Sequence, residues 1–134
     1  GTLNVAAVSL LTPEELDASP APGKWSKKEI LGHLIDSAAN NHQRFVRLQL
    51  GERLPLPGYA QNDWVRVQRY QDRAWPDLID LWQTYNKHLA EIVRSVDPKA
   101  LRNVWRAPDG RDVDLEFVIR DYVEHMRHHL QQIL

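Results

Sequence analysis

Apolar residues recur in alternating steps of four and three along three long segments of this 134-residue chain. Because an α-helix has 3.6 residues per turn, this spacing places the side chains on one stripe of a helix. The stripes contain Ile30, Leu34, Ala38, Asn41, Phe45 and Leu48; Leu78, Trp82, Tyr85, Leu89, Ile92 and Val96; and Leu115, Ile119, Tyr122, Met126, His129 and Ile133. No alternating run is long enough to suggest a substantial sheet, so the sequence predicts an all-α fold.

Capping residues and prolines predict where the helices begin and end. Thr12 and Ser26 are each followed three residues later by glutamate, the spacing of a capping box. Proline favours the first helical turn, and aspartate favours the N-cap. The predicted helices cover Pro13 to about Asp17, Ser26 to near Gly51, Gln61 to Gln71, Pro76 to Asp97, and about Asp114 to the end, with proline-rich linkers at Ser19–Gly23 and Arg53–Gly58.

Composition narrows the class of protein further. The chain has the usual length of one domain, which we expect to span residues 1–134. The absence of cysteine excludes disulfides, cysteine-bound metal and a cysteine nucleophile, and it fits a reducing, cytoplasmic compartment. The formal net charge of −1 gives no electrostatic basis for nucleic-acid binding. The apolar stretch Val5 to Leu11 is far shorter than the roughly 20 residues that span a bilayer. We therefore expect a soluble protein with a small-molecule substrate.

Histidines are the candidate metal ligands of this cysteine-free chain. His125 and His129 are four residues apart, so on a helix their Cβ atoms lie roughly 6 Å apart on one face. His33 lies beside the apolar stripe of its helix and is expected to point toward the interior. Three imidazoles from two helices, with open positions left over, are typical of a catalytic zinc site. The spacing alone does not choose between this hypothesis and a core histidine hydrogen-bonded to a neighbour.

The other histidines and the tryptophans have simpler interpretations. His128 is about 100° round the helix from His129 and is expected at the surface. His42 and His88 stand among polar residues and are expected to be solvated. The tryptophans are primarily packing residues, and Trp64 and Trp105, on connecting segments, are also candidates to form the wall of a pocket.

Three stretches of the chain resemble the DinB/YfiT-like superfamily of metal-dependent enzymes: Lys24–Asp36, Tyr59–Val65 and Asp121–Ile133. They share a Trp-Ser helix start that leads to a histidine, and a terminal His-x-x-x-His with an extra histidine inserted. The resemblance covers the chain from about Thr12 to the end. The segment before Thr12 is shorter than the family's first helix, so residues 1–11 are expected to form a truncated or oddly placed first helix. The resemblance implies a four-helix bundle with a long crossover connection, and a possible homodimer. It also implies a divalent ion, zinc or nickel, held by the residues His33, His125 and His129.

The resemblance further implies a thiol-dependent S-transferase in which the ion activates a low-molecular-weight thiol such as bacillithiol or mycothiol. Two alternatives stay open: a hydrolase that uses metal-bound water, and a non-catalytic metal-binding bundle. Asp36, one turn from His33, and Asp63 are the candidates for a catalytic base. Asn40 and Asn41 occupy a stretch where many members carry an acidic residue, which weakens the case for a carboxylate there.

Overall fold

The computed structural model describes residues 9–51, 53–54 and 57–134, and helices dominate it. Most of the predicted truncated first helix lies outside the described residues. The helices are α1 (Pro13–Asp17), α2 (Lys27–Leu50), α3 (Gln61–Gln68), α4 (Trp75–Arg94) and α5 (Leu115–Ile133), with 3₁₀ turns at Tyr70–Asp72 and Pro98–Arg102. Three short strands lie in the segments between the helices, namely β1 (Arg53–Leu54), β2 (Val104–Arg106) and β3 (Asp112–Asp114).

Side-chain caps fix the starts of the helices that carry the histidines. At α2 the Ser26 hydroxyl accepts a hydrogen bond from the Glu29 N–H, and the Glu29 carboxylate accepts one from the Ser26 N–H. At α5 the Asp114 carboxylate accepts a hydrogen bond from the Phe117 N–H at 2.9 Å. Such caps typically contribute about 1 kcal/mol each. Both starts agree with the sequence prediction, as does the capping box of Thr12 at α1.

The structure corrects the sequence prediction at two connections. The helix predicted over Gln61–Gln71 ends at Gln68, because Arg69 adopts a left-handed backbone conformation with φ of 53°. Within the predicted linker Arg53–Gly58, β1 pairs in parallel with β2, which pairs antiparallel with β3. Strands of two or three residues are too short to produce a recognisable alternation of apolar and polar residues.

Helix α2 occupies the centre of the molecule and packs against α3, α4 and α5. Every residue from Ile30 to Ala38 on this helix is buried. Its first half belongs to an apolar cluster that includes Leu34, Leu78 and Ile133, and its second half belongs to another around Phe45. A polar side chain in the first half of α2 is therefore enclosed by neighbouring helices. None of the helices within the described ranges is both long and apolar enough to cross a bilayer.

Candidate metal centre

Three of the six histidines meet where α2 packs against α5. His33 comes from the second turn of α2, and His125 and His129 come from consecutive turns of α5. The Nε2 atom of His125 lies 3.3 Å from Nε2 of His33 and 3.1 Å from Nε2 of His129. The structure thus brings together the three residues that the sequence singled out. His128 is exposed, and its ring lies beside that of His129 with centroids 5.2 Å apart.

The spacing of these nitrogens fits a shared cation. Zinc binds imidazole nitrogen at about 2.0–2.1 Å, so two ligands at a tetrahedral angle lie about 3.3 Å apart. The two Nε2 separations of 3.3 and 3.1 Å are close to this value, and the potential ligand atoms of the three residues all lie within 4.8 Å of one another. The packing of the two helices is therefore sufficient to bring the imidazole nitrogens to a spacing that suits a mononuclear metal site.

Hydrogen bonding within the group leaves lone pairs unused. The Nδ1 atom of His129 donates to Oε1 of Gln132 at 2.8 Å, so Nε2 of a neutral His129 carries a lone pair. Nε2 of His125 faces two other Nε2 atoms, yet one imidazole nitrogen offers either one proton or one lone pair. Hydrogen bonds among the rings cannot satisfy both contacts, whereas one cation can accept all three lone pairs.

The local electrostatics favour the neutral form that a ligand requires. Burial lowers the pKa of His33 to about 3, and the neighbouring His125 and His129 contribute in the same direction. Burial also lowers the pKa of His125, helped by His129 and opposed by Asp121. Because metal ligation requires the neutral imidazole, both side chains have the necessary protonation state at neutral pH.

A cavity of about 640 Å³ lies beside the histidine group and is lined by one of its members, His129. His129 and Gln132 line it on the side of α5, and Trp25 and Ile30 line it on the side of α2. The ring of Trp25 packs over His33, with centroids 4.7 Å apart, and lies 6.2 Å from the ring of His129. Trp25 therefore forms a wall shared by the histidine group and the cavity.

The two aspartates considered as catalytic bases occupy different environments. Asp36 is 2% exposed, and its Oδ1 accepts hydrogen bonds from Tyr70 OH at 2.6 Å and from Gln68 Nε2 at 2.7 Å. Burial raises its pKa, although the bonds from Tyr70 and Gln68 oppose that shift. Asp63 is exposed and pairs with Arg66 at 3.2 Å. Neither aspartate is among the described residues that line the cavity.

Sequence reasoning did not single out Trp25 or Gln132 for the site. Their positions in the sequence could have identified them. Gln132 is three residues after His129, one helical turn away, and Trp25 directly precedes the N-cap residue of α2. Of the two tryptophans proposed as pocket walls, Trp64 packs against Tyr59 on the surface. Trp105 is buried beneath the guanidinium group of an arginine. Neither is among the cavity-lining residues.

The fold and this site define a class: helical bundles with a candidate metal centre made by histidines of two packed helices. The chain belongs to the DinB superfamily, whose family model matches residues 2–133. A relative from Bacillus subtilis strain 168, named "Putative metal-dependent hydrolase YfiT", is 26% identical over 139 residues, covering 95% of this chain and 72% of that protein. A protein from Oceanobacillus iheyensis with the same functional description is 24% identical over 133 residues, covering 92% of this chain and 71% of its own length.

The solved structure of Bacillus subtilis YfiT confirms the fold class predicted from the sequence. It superposes with a TM-score of 0.88 at 23% sequence identity, covering 96% of this chain and 74% of that one. Its topology is described as an unusual four-helix bundle. The chain therefore has the four-helix bundle fold, with α2, α4 and α5 as its long helices within the described residues.

Proposed function

We propose that this protein is a metal-dependent enzyme in which His33, His125 and His129 hold a divalent ion, zinc or nickel, and that it transfers a low-molecular-weight thiol to an electrophile. The observation that carries the proposal is the convergence of three Nε2 atoms beside a cavity of about 640 Å³. A closed structural site has four protein ligands, whereas three histidines leave a position for a substrate.

The protonation state of the ligands supports activation of a thiol. Neutral imidazoles add no negative charge, so a bound cation keeps its full positive charge, and a thiol that coordinates it is deprotonated. The chain has no cysteine of its own, so a sulfur nucleophile has to arrive as a substrate. Bacillithiol or mycothiol would fill this role.

The described part of the cavity lining offers no unpaired carboxylate that could act as a base near the histidines. Among its described lining residues the one carboxylate is Glu15, whose Oε1 accepts the Thr12 N–H at 3.1 Å as part of the α1 cap. A thiol whose pKa would be lowered by the ion can release its proton to solvent water and requires no such base. Trp25 and Ile30 offer an apolar surface for the electrophile, and Gln132 holds His129 in the tautomer with Nε2 free.

The direct test is thiol consumption. Untagged protein loaded with zinc or nickel is incubated with bacillithiol or mycothiol and an electrophile such as monochlorobimane, and the conjugate is quantified. We expect conjugation above the uncatalysed rate for the wild type and its loss in His125→Ala. His88→Ala, which removes a histidine outside the group, is the matched control. Equal rates for wild type and His125→Ala would reject the proposal.

Hydrolysis is the second candidate, because the relatives reported above carry the name of metal-dependent hydrolases. The same preparation would be offered ester and amide substrates without thiol. Metal-dependent ester cleavage that is lost in His125→Ala, combined with no thiol conjugation, would favour hydrolysis. A protein that binds metal but performs neither reaction would point to the non-catalytic alternative.

A further inference from the structure

Two buried polar atoms on α2 have no hydrogen-bond partner among the residues that the structure describes: Nδ1 of His33 and Oδ2 of Asp36. His33 is 0% exposed and Asp36 is 2% exposed, so bulk water reaches neither side chain. The great majority of buried polar side-chain atoms in proteins have a partner. Residues three apart are also neighbours on a helix surface. Each of these two atoms, in adjacent turns of one helix, therefore needs a partner.

The two atoms have complementary hydrogen-bonding roles. Nε2 of His33 faces Nε2 of His125 at 3.3 Å, inside the histidine group. A neutral imidazole whose Nε2 lone pair points into that group carries its proton on Nδ1, which makes Nδ1 a donor. Oδ2 of Asp36 is a carboxylate oxygen and therefore an acceptor. One donor and one acceptor are thus left over in consecutive turns of one helix.

The position of the Asp36 carboxylate is set by its neighbours. Its Oδ1 accepts hydrogen bonds from both Tyr70 and Gln68, which directs Oδ2 away from them. The ring of Tyr70 in turn lies directly on the backbone of Gly32, where an added Cβ would come within 2.1 Å of ring carbon Cδ2. The missing side chain at position 32 therefore lets Tyr70 approach α2 closely enough to hold Asp36.

We propose that Asp36 is the positioning residue of the histidine centre. One bridging water accepts a hydrogen bond from the Nδ1–H of His33 and donates one to Oδ2 of Asp36, and this fixes the tautomer that leaves Nε2 free. Histidine ligands generally donate their second ring N–H to a carboxylate, a carbonyl or a water, which orients the ring and raises its basicity. A water is the bridge because the side chains make no direct hydrogen bond, and a buried water typically joins such groups. The inference rests on the proposed function only in treating His33 as a metal ligand.

The tautomer of His33 gives a test that requires neither metal nor substrate. Long-range ¹⁵N–¹H correlation spectra of the metal-free protein distinguish the Nδ1–H form from the Nε2–H form. We expect the Nδ1–H form in the wild type and a shift toward the Nε2–H form in Asp36→Asn, whose amide has one acceptor oxygen where the carboxylate has two. The Nε2–H form in the wild type would overturn the inference even if the variant fails to fold. An unchanged tautomer in a folded Asp36→Asn would do the same.

Metal affinity gives the second readout. Loss of an outer partner of a metal ligand typically lowers affinity about 10–100-fold. We expect a loss in this range for zinc binding to Asp36→Asn. A smaller loss is expected for Tyr70→Phe, which removes the hydroxyl that contacts Oδ1 of Asp36 and Oε1 of Gln68 but leaves Oδ2 in place. Asn41→Ala is the control, because it removes a buried hydrogen bond to the Ser37 carbonyl on the same helix, two turns from His33. It should lower stability and leave zinc affinity unchanged.

The two proposals can fail separately. If the zinc affinity of Asp36→Asn falls no further than that of Asn41→Ala, the positioning role is contradicted. If the wild type itself binds no divalent ion, the proposed function is contradicted, while the tautomer spectra still decide whether Asp36 orients His33.

Discussion

The molecule contains two groups of histidines whose rings are similarly spaced but whose ring nitrogens have different neighbours. The inner group is His33, His125 and His129, with ring centroids 4.5–5.1 Å apart, and the outer pair is His42 and His88, with centroids 5.2 Å apart. In the inner group three Nε2 atoms converge. In the outer pair, Nδ1 of His42 is hydrogen-bonded to Tyr85 OH at 2.7 Å.

The surroundings of the two groups differ as well. His33 is fully buried, whereas His88 is exposed. Among the described residues, the inner group alone gathers three potential metal ligands from histidine, cysteine or acidic side chains. Proximity of imidazole rings is therefore a poor guide to a metal site. The convergence of unused lone pairs beside a cavity is the better one.

Removing one inner histidine should have the largest effect. We expect untagged wild-type protein to hold about one divalent ion per chain. The metal affinity of His125→Ala should fall by far more than the roughly 100-fold that follows the loss of a residue that only orients a ligand. His88→Ala should retain the metal. Elemental analysis and zinc titration measure both variants. Equal metal loss in the two would remove the distinction between the groups.

The close packing beside His33 should be the next most sensitive feature. In an exposed helix, glycine to alanine usually stabilises by roughly 0.5–1 kcal/mol. At Gly32 the new methyl group would overlap the Tyr70 ring, and overpacking of this kind costs about 1–3 kcal/mol. Urea denaturation of Gly32→Ala should therefore show a lower free energy of unfolding, together with weaker zinc binding. A stabilised variant would mean that Tyr70 does not pack on α2 as described.

Acid should destabilise the metal-free protein through the inner group. The pKa of His33 is about 3 in the folded protein, below its unfolded value near 6.5, so from pH 6.5 downward the unfolded chain binds a proton that the folded one does not. Stability is therefore lost as pH falls from 6.5 toward 3, by about 2 kcal/mol at pH 5.

Denaturation of wild type and His33→Gln at pH 7.5 and pH 5 isolates this contribution, because the variant lacks the titrating ring. His42→Ala should keep most of the wild-type pH dependence, since His42 is only partly buried. Identical pH dependence in wild type and His33→Gln would contradict the account. Metal retention should also weaken between pH 7.5 and pH 5, because protons compete for imidazole ligands.

The smallest effect is expected at the outer pair. Tyr85→Phe removes the hydrogen bond to His42, and a typical intramolecular hydrogen bond contributes about 0.5–1.5 kcal/mol. The free energy of unfolding should fall by no more than that, and zinc stoichiometry should be unchanged. A metal content that depended on Tyr85 would assign the outer pair a role in the site.

Local interactions explain what the sequence predicted correctly. The starts of α2 and α5 follow from Ser26 and Asp114, each of which bonds to a backbone N–H three residues away. The proximity of His125 and His129 is likewise a property of one helix. His33 was expected in the interior because it flanks an apolar stripe, and it is buried there.

What the sequence did not predict depends on contacts between distant segments. His88 was expected to be solvated and is exposed, whereas His42 is partly buried, and the sequence did not predict that their rings would pack against each other between α2 and α4. The bond between Tyr70 and Asp36 joins residues 34 positions apart. Helical periodicity gives the face on which a residue lies, but it does not give the rotation and register of one helix against another.

The most direct test of the account is the position of the bound ion. An anomalous-difference map can be measured at the zinc or nickel absorption edge from crystals of untagged protein supplied with that metal. We expect one peak about 2.0–2.1 Å from the Nε2 atoms of His33, His125 and His129. A peak beside His42 and His88, or no peak at the inner group, would contradict it.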